Sequence, residues 1–456
     1  MANSRKSKSN DLTGRVADAL LPVVPAGASI AVGLSGGMDS VVLLHLLAEL
    51  APRHAWKLSA VHVHHGISPH ADDWAAFCGR LCEAYAVPFS IEHVDIKPVR
   101  HMGVEAAARH LRHAALARQP GDFVALAHHQ DDQAETLLLQ LLRGAGVRGL
   151  AAMPAVGRPP VPHGEGNRVP VLLRPLLAVS RAELEAFAAA QGLKWVEDES
   201  NSDESYPRNF LRHNIIPVLN QRLPGSGAAL ARSAGHLAEA DALLDVLAEQ
   251  DGEQAFDGET LAVARLAELG HARAKNLLRW FLRRRGVLMP DASRLDEMLR
   301  QLVTARQDAQ IRVEWGEWAL RRYRGRVHVC PRQTELDAAL VVSWAGEPAL
   351  AWPGGVVRFL PASGEGVSAA RLAAGAVTVR TRHGEEMLRP DAARPARSLR
   401  DLFQAQGVPP WQRTGWPLVY CGDRLVAVPG IAVDSDWRAS AGLPGLVLRW
   451  DRGAKP

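Results

Sequence analysis

The first 145 residues change hydrophobic period repeatedly. Ser29 to Leu34 is a short apolar, β-prone run. Asp39 to Leu50 follows at helical spacing, with Val41, Leu43, Leu44, Leu47 and Leu50 apolar. Leu58 to Val63 reads as a strand, Asp72 to Ala86 as a helix, and Phe89 to Val94 as extended. Val104 to Ala117 is helical, Phe123 to Ala127 is a buried-type strand, and Asp131 to Leu142 is helical again. This alternation predicts βαβ units, hence an α/β fold with a doubly wound, mostly parallel sheet covered on both faces. Ligands of such sheets sit beyond the carboxyl ends of the strands. The residues just after each strand are therefore the place to look for chemistry.

Downstream the pattern loosens. Pro154 to Pro170 is rich in Pro and Gly and reads as a loop. Ser180 to Gln191 is a predicted helix, with Ser180 as N-cap and Glu183 completing a capping box. Gly225-Ser226-Gly227 marks a domain boundary. Residues 226–270 read as one or two helices, Arg273 to Arg285 continues helically, and Ile311 to Val329 has β character. Val341 to Ala369 reads as short strands or a linker, and Val377 to Leu448 is turn-punctuated and β-leaning. The expected organisation is a catalytic domain over 1–225, a mainly helical, basic domain over 226–340, and a small β-rich α+β domain over 341–456. A linker is expected at about 341–370.

Composition adds two constraints. At 456 residues, with 47% hydrophobic and 22% charged, the chain is globular and too long for one ordinary domain. Its net charge of +4 is a sum of opposites. Residues 1–225 hold 22 basic against 22 acidic side chains, 226–270 hold 2 against 9, and 271–332 hold 15 against 6. Residues 371–456 hold 13 against 8, and 46 of the 53 cations are Arg, whose planar fork suits phosphate. This distribution points to polyanion-binding appendages on a neutral core. The polar, basic start, the lack of any apolar run near the ~18 residues that span a bilayer, and only four Cys set the expectation of a cytoplasmic protein without membrane association.

Ser35-Gly36-Gly37-Met38-Asp39-Ser40 joins the first strand to the first helix of the alternating region. Glycines let backbone N–H groups approach an anion, and a helix N-terminus adds free donors. Asp39 would repel phosphate unless a divalent cation lay between them, so it predicts Mg²⁺. There is no G-x-x-x-x-G-K-[ST], so this is not the lysine-bearing loop of kinases and GTPases. A second cluster, His128-His129-Gln130-Asp131-Asp132-Gln133-Ala134-Glu135-Thr136, follows the strand ending near Ala127. Asp132 and Glu135 share one helix face there. Dipole complementation explains one or two acids in a first turn, but not three acids and two His at the expected ligand edge. Gly144, Gly146 and Gly149 match G-x-G-x-x-G, but they follow a helix and read as a C-cap with a basic loop. A zinc site built from His62, His64, His65, His70, Cys78 and Cys82 is disfavoured, because the cysteines stand four apart in a helix rather than as C-x-x-C.

Ser35 to Ser40 resembles the pyrophosphate loop of the N-type ATP pyrophosphatases. Together with the run from His128 to Leu150 and Met153, it resembles one branch of them, the tRNA(Ile)-lysidine synthetases. Glu105-x-x-Ala108-Arg109-x-x-Arg112 is similar to the family's Arg-bearing helix, although His113 stands where an aromatic is usual. Arg174-Pro175-Leu176-Leu177, Asp198-Glu199-Ser200-Asn201 and Tyr206-Pro207-Arg208-Asn209-Phe210-Leu211-Arg212-His213 also match. So do Leu402-Phe403-Gln404 and Val408-Pro409-Pro410-Trp411-x-Arg413 near the far end. The resemblance implies ATP-dependent adenylation of the C2 oxygen of the wobble cytidine in a CAU-anticodon tRNA(Ile). Attack on C2 by the ε-amine of free L-lysine would follow, giving lysidine, AMP and pyrophosphate.

On this reading Ser35, Gly36, Gly37, Met38, Asp39, Ser40 and His128 bind ATP, and Asp39 also faces Mg²⁺. Asp132 and Glu135 engage lysine, and Arg109 and Arg112 line the cleft near the phosphates or base. Arg208, Asn209 and Arg212 are expected at tRNA, as are Arg283, Arg284, Arg321 and Arg322 from the basic blocks. A homodimer is the assembly that related enzymes suggest. The rivals are a tRNA thiolase on the same fold, a GMP- or NAD-synthetase-like amidotransferase, and a non-catalytic RNA-binding protein. Thiolases need paired or cluster-binding cysteines, which Cys78, Cys82, Cys330 and Cys421 do not offer by spacing.

Overall fold

A computed structural model describes residues 11–159, 169–306, 309–332 and 340–452. The side chains of residues 100–102, 104 and 105 are outside that description, and with them Glu105 of the Arg-bearing helix motif. Most of the loop expected after Pro154 also lies outside the described residues. The chain divides into two compact units, 1–251 and 252–456.

The first unit contains helices α1 (Leu12–Leu20), α2 (Met38–Arg53), α3 (Ala71–Ala84), α4 (Val104–Ala117), α5 (Gln130–Leu142), α6 (Val147–Leu150) and α7 (Arg181–Ala190). After them come α8 (Pro207–Phe210), a π-helical turn at Leu211–Ile215, α9 (Ile216–Arg222) and the long α10 (Ser226–Gly252). Its strands are β1 (Ser29–Gly33), β2 (Lys57–His64), β3 (Phe89–His93), β4 (Phe123–Ala125), β5 (Val156–Gly157) and β6 (Val171–Leu173). They form one sheet in the order β3-β2-β1-β4-β6-β5, all parallel except the β5 edge.

Side chains alternate faces along a strand, so a sheet covered on both sides needs apolar residues at every position. β1 shows this directly. Ile30 and Val32 join a core with Val16, Leu43, Leu47 and Leu184. Ala31 points the other way, into a smaller core with Val61, Leu116, Val124 and Leu172. Each fully buried Leu or Val contributes about 1.5–3 kcal/mol of apolar transfer, and α2 alone buries Val42, Leu43, Leu44, Leu46 and Leu47 completely.

The strand order reverses at β1, with β2 on one side and β4 on the other. The crevice between the loops following β1 and β4 is thus the topological switch point, where such sheets bind ligands. The two strands approach closely there. A Cβ on Gly33 would lie 2.8 Å from Leu126 Cδ2.

The second unit begins later than the glycine signal at 225–227 suggested. α10 runs through that boundary, and its Asp241 takes Arg148 of α6 at 3.2 Å, within the first unit. Helices α11 (Val263–Glu268), α12 (His271–Arg284) and α13 (Ala292–Thr304) pack with an antiparallel sheet of β7 (Leu261–Ala262), β8 (Arg312–Trp315), β9 (Trp318–Tyr323) and β10 (Arg326–Pro331). The C-terminal part is antiparallel sheets of five, four and two strands with short helices at 369–372, 399–405 and 410–413. Residues 341–363, expected as strands or linker, are strands. Residues 341–344 pair with 377–380, and 355–363 pair with 444–452 along nine positions, so the segment is integral to the C-terminal sheets. Among the described residues, no helix is long and apolar enough to cross a membrane.

Candidate active site

The loop after β1 is folded by its own hydroxyls. Ser40, in the first turn of α2, donates to the Gly37 carbonyl at 2.8 Å and accepts from the Gly36 N–H at 3.2 Å. Ser35 Oγ lies 3.1 Å from Ser40 Oγ and accepts from the Gly37 N–H at 3.3 Å. Gly36 has φ +89°, and a Cβ there would come 2.9 Å from Val196 Cγ2 and 3.2 Å from Cys78 Sγ. Only glycine fits this left-handed, walled position. The Ser40 and Ser35 hydroxyls hold the Gly36 and Gly37 N–H groups, while the N-terminus of α2 has no side-chain cap and leaves its first N–H groups open to an anion.

Asp39 stands at its rim. Burial raises its carboxyl pKa despite the neighbouring His129 and Arg181. Its Oδ1 is buried and has no hydrogen-bond partner, which fits a hard divalent cation. No cluster of three or more His, Cys, Asp or Glu suited to a metal exists among the described residues.

The loop after β4 supplies the second half. His129, the N-cap of α5, is almost fully buried. Its Nε2 lies 3.6 Å from both Asp39 Oδ2 and Asp132 Oδ2, and its Nδ1 lies 3.6 Å from Asp131 Oδ2. Burial opposes its charge, but these three carboxylates outweigh it and raise its pKa. The His129 ring therefore stands between the phosphate loop and the acidic helix. Neighbouring His128 is opposite in character, held neutral down to about 3 chiefly by burial. Both rings stand in the cluster singled out along the chain, where His128 alone is nominated for ATP; His129 is the one that lies among the carboxylates. The doublet carries no signal to separate them, because the N-cap geometry decides which ring turns inward.

Asp132 and Glu135 lie on one face of α5, and both are buried. Neither is free. Arg208 Nε donates to Glu135 at 2.6 Å and its terminal nitrogen to Asp132 at 2.8 Å. Arg212 Nε donates to the other Glu135 oxygen at 2.6 Å, and its terminal nitrogen reaches Asp132 at 3.2 Å. Arg208 and Arg212, expected at tRNA, therefore sit inside the site as a two-guanidinium, two-carboxylate cluster. Charge pairing in a partly dry cleft explains this placement. Asn209, likewise expected at tRNA, spends its amide on the Ser200 and Asp203 carbonyls and braces that loop. A cavity of about 490 Å³ opens beside the cluster, lined by His129, Asp131, Glu135, Arg181, Asn201 and Arg212 among others. Arg181 was missed because α7 reaches the site only through tertiary contacts, its N–H donating to Asp131 at 2.8 Å.

Arg109 and Arg112 are exposed on α4. Arg112 acts electrostatically on His62 and His65, and so faces the β2 end of the crevice. His113 turns inward from the same helix and is 8% exposed. Burial, followed by Arg109, Arg174 and Arg112, lowers its pKa to about 4. At neutral pH it is an uncharged, buried ring, which reconciles it with the aromatic usual there. The sign follows directly: the unfolded chain binds this proton below about 6.5 and the native state only near 4. Its stabilising contribution is present above 6.5 and is lost as pH falls toward 4. His113→Phe should therefore flatten the loss of stability between pH 7 and 5, with proton uptake on unfolding reduced by at most about one. Denaturant titrations at the two pH values measure this, and an unchanged pH slope would contradict it.

Of the four second-unit arginines expected at tRNA, only Arg284 is exposed. It lies over the Trp280 ring at 5.2 Å. Arg283 is half-buried. Arg322 is buried and donates to the Leu302 and Ala305 carbonyls at 3.0 and 3.1 Å. It staples the end of α13 and cannot also offer its fork to phosphate. Arg321 is half-buried and stacks on Trp411 at 5.2 Å.

Three family models match the chain: a PP-loop domain over residues 11–219, a TilS substrate binding domain over 261–328, and a TilS substrate C-terminal domain over 377–450. The tRNA(Ile)-lysidine synthase of Nitrosomonas europaea is 42% identical over 452 residues, covering 99% of this chain and 98% of that one. That of Aromatoleum aromaticum is 44% identical over 424 residues, covering 93% and 97%. The chain belongs to the tRNA(Ile)-lysidine synthase family. Among solved structures, the U34-tRNA thiolase NcsA of Methanococcus maripaludis aligns at 23% identity and TM-score 0.43, over 50% of this chain and 78% of that one. Within the lysidine synthase family fold, Cys78 and Cys82 are buried structural residues here. Burial raises their thiols to about 12 and about 11, far from reactive thiolates.

Proposed function

We infer that the chain is an ATP-dependent ligase that converts the wobble cytidine of a CAU-anticodon tRNA(Ile) to lysidine. The observation that carries this reading is the meeting, at the switch point, of an anion-cradling loop with a buried carboxylate cluster. It occurs in a chain matched along almost its whole length by lysidine synthases. The uncapped N–H groups of Met38 and Asp39 and the Ser35 hydroxyl would hold the pyrophosphate end of ATP, with Gly36, Gly37 and Ser40 shaping the loop around it. Asp39 would hold Mg²⁺, which when bound supplies charge neutralisation at the phosphates. The cytidine C2 oxygen forms the bond to the α-phosphorus and pyrophosphate leaves. The lysine ε-amine then forms the C–N bond at C2, and AMP departs with the C–O electron pair. Positioning and charge neutralisation are the protein's contribution.

Free L-lysine as nucleophile, a homodimer as working form and a cytoplasmic location belong to the same proposal. Asp132 and Glu135 suit the lysine ammonium. Because Arg208 and Arg212 already pair them, an arriving ammonium must share the carboxylates or displace a guanidinium toward phosphate. Arg109 and Arg112 would meet the phosphates or base at the other side of the crevice. Arg283 and Arg284 remain the tRNA contacts proposed on α12. A non-catalytic RNA-binding protein would have no use for the unpartnered Asp39 oxygen beside an anion cradle.

The test is incubation with ATP, Mg²⁺, labelled lysine and unmodified CAU-anticodon tRNA(Ile), followed by nucleoside analysis. Label should appear as lysidine, with one AMP released per transfer. No AMP with intact cognate tRNA would sink the enzyme reading.

A further inference from the structure

The segment Val408-Pro409-Pro410-Trp411-Gln412-Arg413 plays no part in the chemistry above. Pro409 is extended and residues 410–413 form a short helix. The Trp411 ring meets Tyr323 edge-on, with centroids 6.1 Å apart, and His328 at 5.3 Å. Both belong to the β9–β10 hairpin of the preceding domain. Arg321, from the same hairpin, places its guanidinium 5.2 Å over the Trp411 ring.

Polar contacts frame this stack. Arg413 donates through Nε to the Val408 carbonyl at 2.8 Å, which fixes its own loop, and through a terminal nitrogen to the Tyr323 hydroxyl at 3.4 Å. Arg324, at the hairpin tip, donates to the Gln404 carbonyl. A Cβ on Gly407 would come 3.2 Å from Arg324 Nη1, so glycine at φ +72° leaves that arginine its path. Arg324 itself sits at φ +49°, followed by Gly325 at +72°. Two left-handed residues make the tight hairpin turn, and the first position normally selects Asn, Asp or Gly. An arginine there points to a requirement for its side chain, and the Gln404 carbonyl is what that side chain reaches.

We propose that this clamp, centred on Trp411, is a positioning device that joins residues 252–332 and 340–452 into one rigid body and so sets the distance between two tRNA-gripping surfaces. Both modules carry basic surplus, 15 against 6 over 271–332 and 13 against 8 over 371–456. Two weak polyanion sites at fixed spacing act as one strong site, because the second contact forms at high effective concentration. The same sites on modules free to tumble lose that gain. The clamp also explains why Arg321 is stacked on an aromatic rather than presented to phosphate. Trp411, Tyr323 and Arg324 thus act on tRNA through geometry rather than by touching it.

The affinity test rests on tRNA being the ligand. Full-length chain carrying Trp411→Ala should bind full-length tRNA at least 10-fold more weakly. Its affinity for an isolated anticodon stem-loop, too short to bridge two surfaces, should stay within twofold. Trp411→Phe should restore most of the loss. Amide exchange should rise in 318–331 and 399–413 and stay unchanged in 34–40. Tyr323→Leu removes the hydroxyl and the ring without opening a core, and should shift full-length tRNA binding in the same direction by about threefold. Equal shifts for tRNA and stem-loop, no shift in either, or exchange rising across the whole chain with Tyr323→Leu silent would each overturn the clamp. Absence of tRNA binding by the unaltered chain would overturn the functional reading instead.

Discussion

Glu135→Ala is expected to destabilise the first unit by about 3–5 kcal/mol, the range for breaking one side of a buried ion pair. Glu135 is 1% exposed and accepts from both Arg208 and Arg212. Removing it leaves two guanidiniums facing Asp132 alone. Their side chains are 20% and 23% exposed, so partial rehydration should keep the loss near the lower end of the range. Glu135→Gln keeps the volume and offers neutral acceptors, and should cost less. Both variants should lose lysine transfer, since the carboxylate pair is gone. Urea unfolding followed within the first unit, alongside the label-transfer assay, reads both effects. A stable Glu135→Ala protein with normal transfer would remove the cluster from both stability and chemistry.

Asp39→Ala should behave in the reverse way. Asp39 Oδ1 is buried and unpartnered, and burial raises the carboxyl pKa. The folded chain therefore carries this group at a cost, and removing it should leave the unfolding midpoint unchanged or raise it. AMP release with tRNA should nevertheless fall by about 10²–10³-fold, the scale of one lost electrostatic contact to a developing charge. A residue that weakens the fold and is required for turnover reflects the usual exchange of stability for a poised site. Thermal denaturation and tRNA-dependent AMP release, measured on the same preparation, separate the two effects. The assignment fails if Asp39→Ala unfolds more readily yet still turns over normally.

Much of this was legible along the chain because the signals were local. The period of β1 and α2, the Ser180–Glu183 capping box and the Gly36 position each depend on residues within one or two turns. The doubly wound sheet followed from apolar residues on both faces of short strands. The strand character of 341–363 was only half visible, because its partners at 377–380 and 444–452 lie far along the chain. Charge was legible in amount but not in use. Arginine counts foretold two basic modules, yet Arg322 staples a helix end and Arg321 stacks on Trp411.

The sequence by itself determined the period of each element, the strand–helix alternation, the anion-binding loop and the acidic first turn of α5. These are written in neighbouring residues and need no partner to be read. Only the tertiary structure decided that His129 rather than His128 bridges Asp39 to Asp132. It also decided that Arg208 and Arg212 close on Asp132 and Glu135 from some 75 residues away. Such contacts arise from which ends of which strands the sheet order brings together. A charged side chain then pairs with whatever opposite charge shares its dry surroundings.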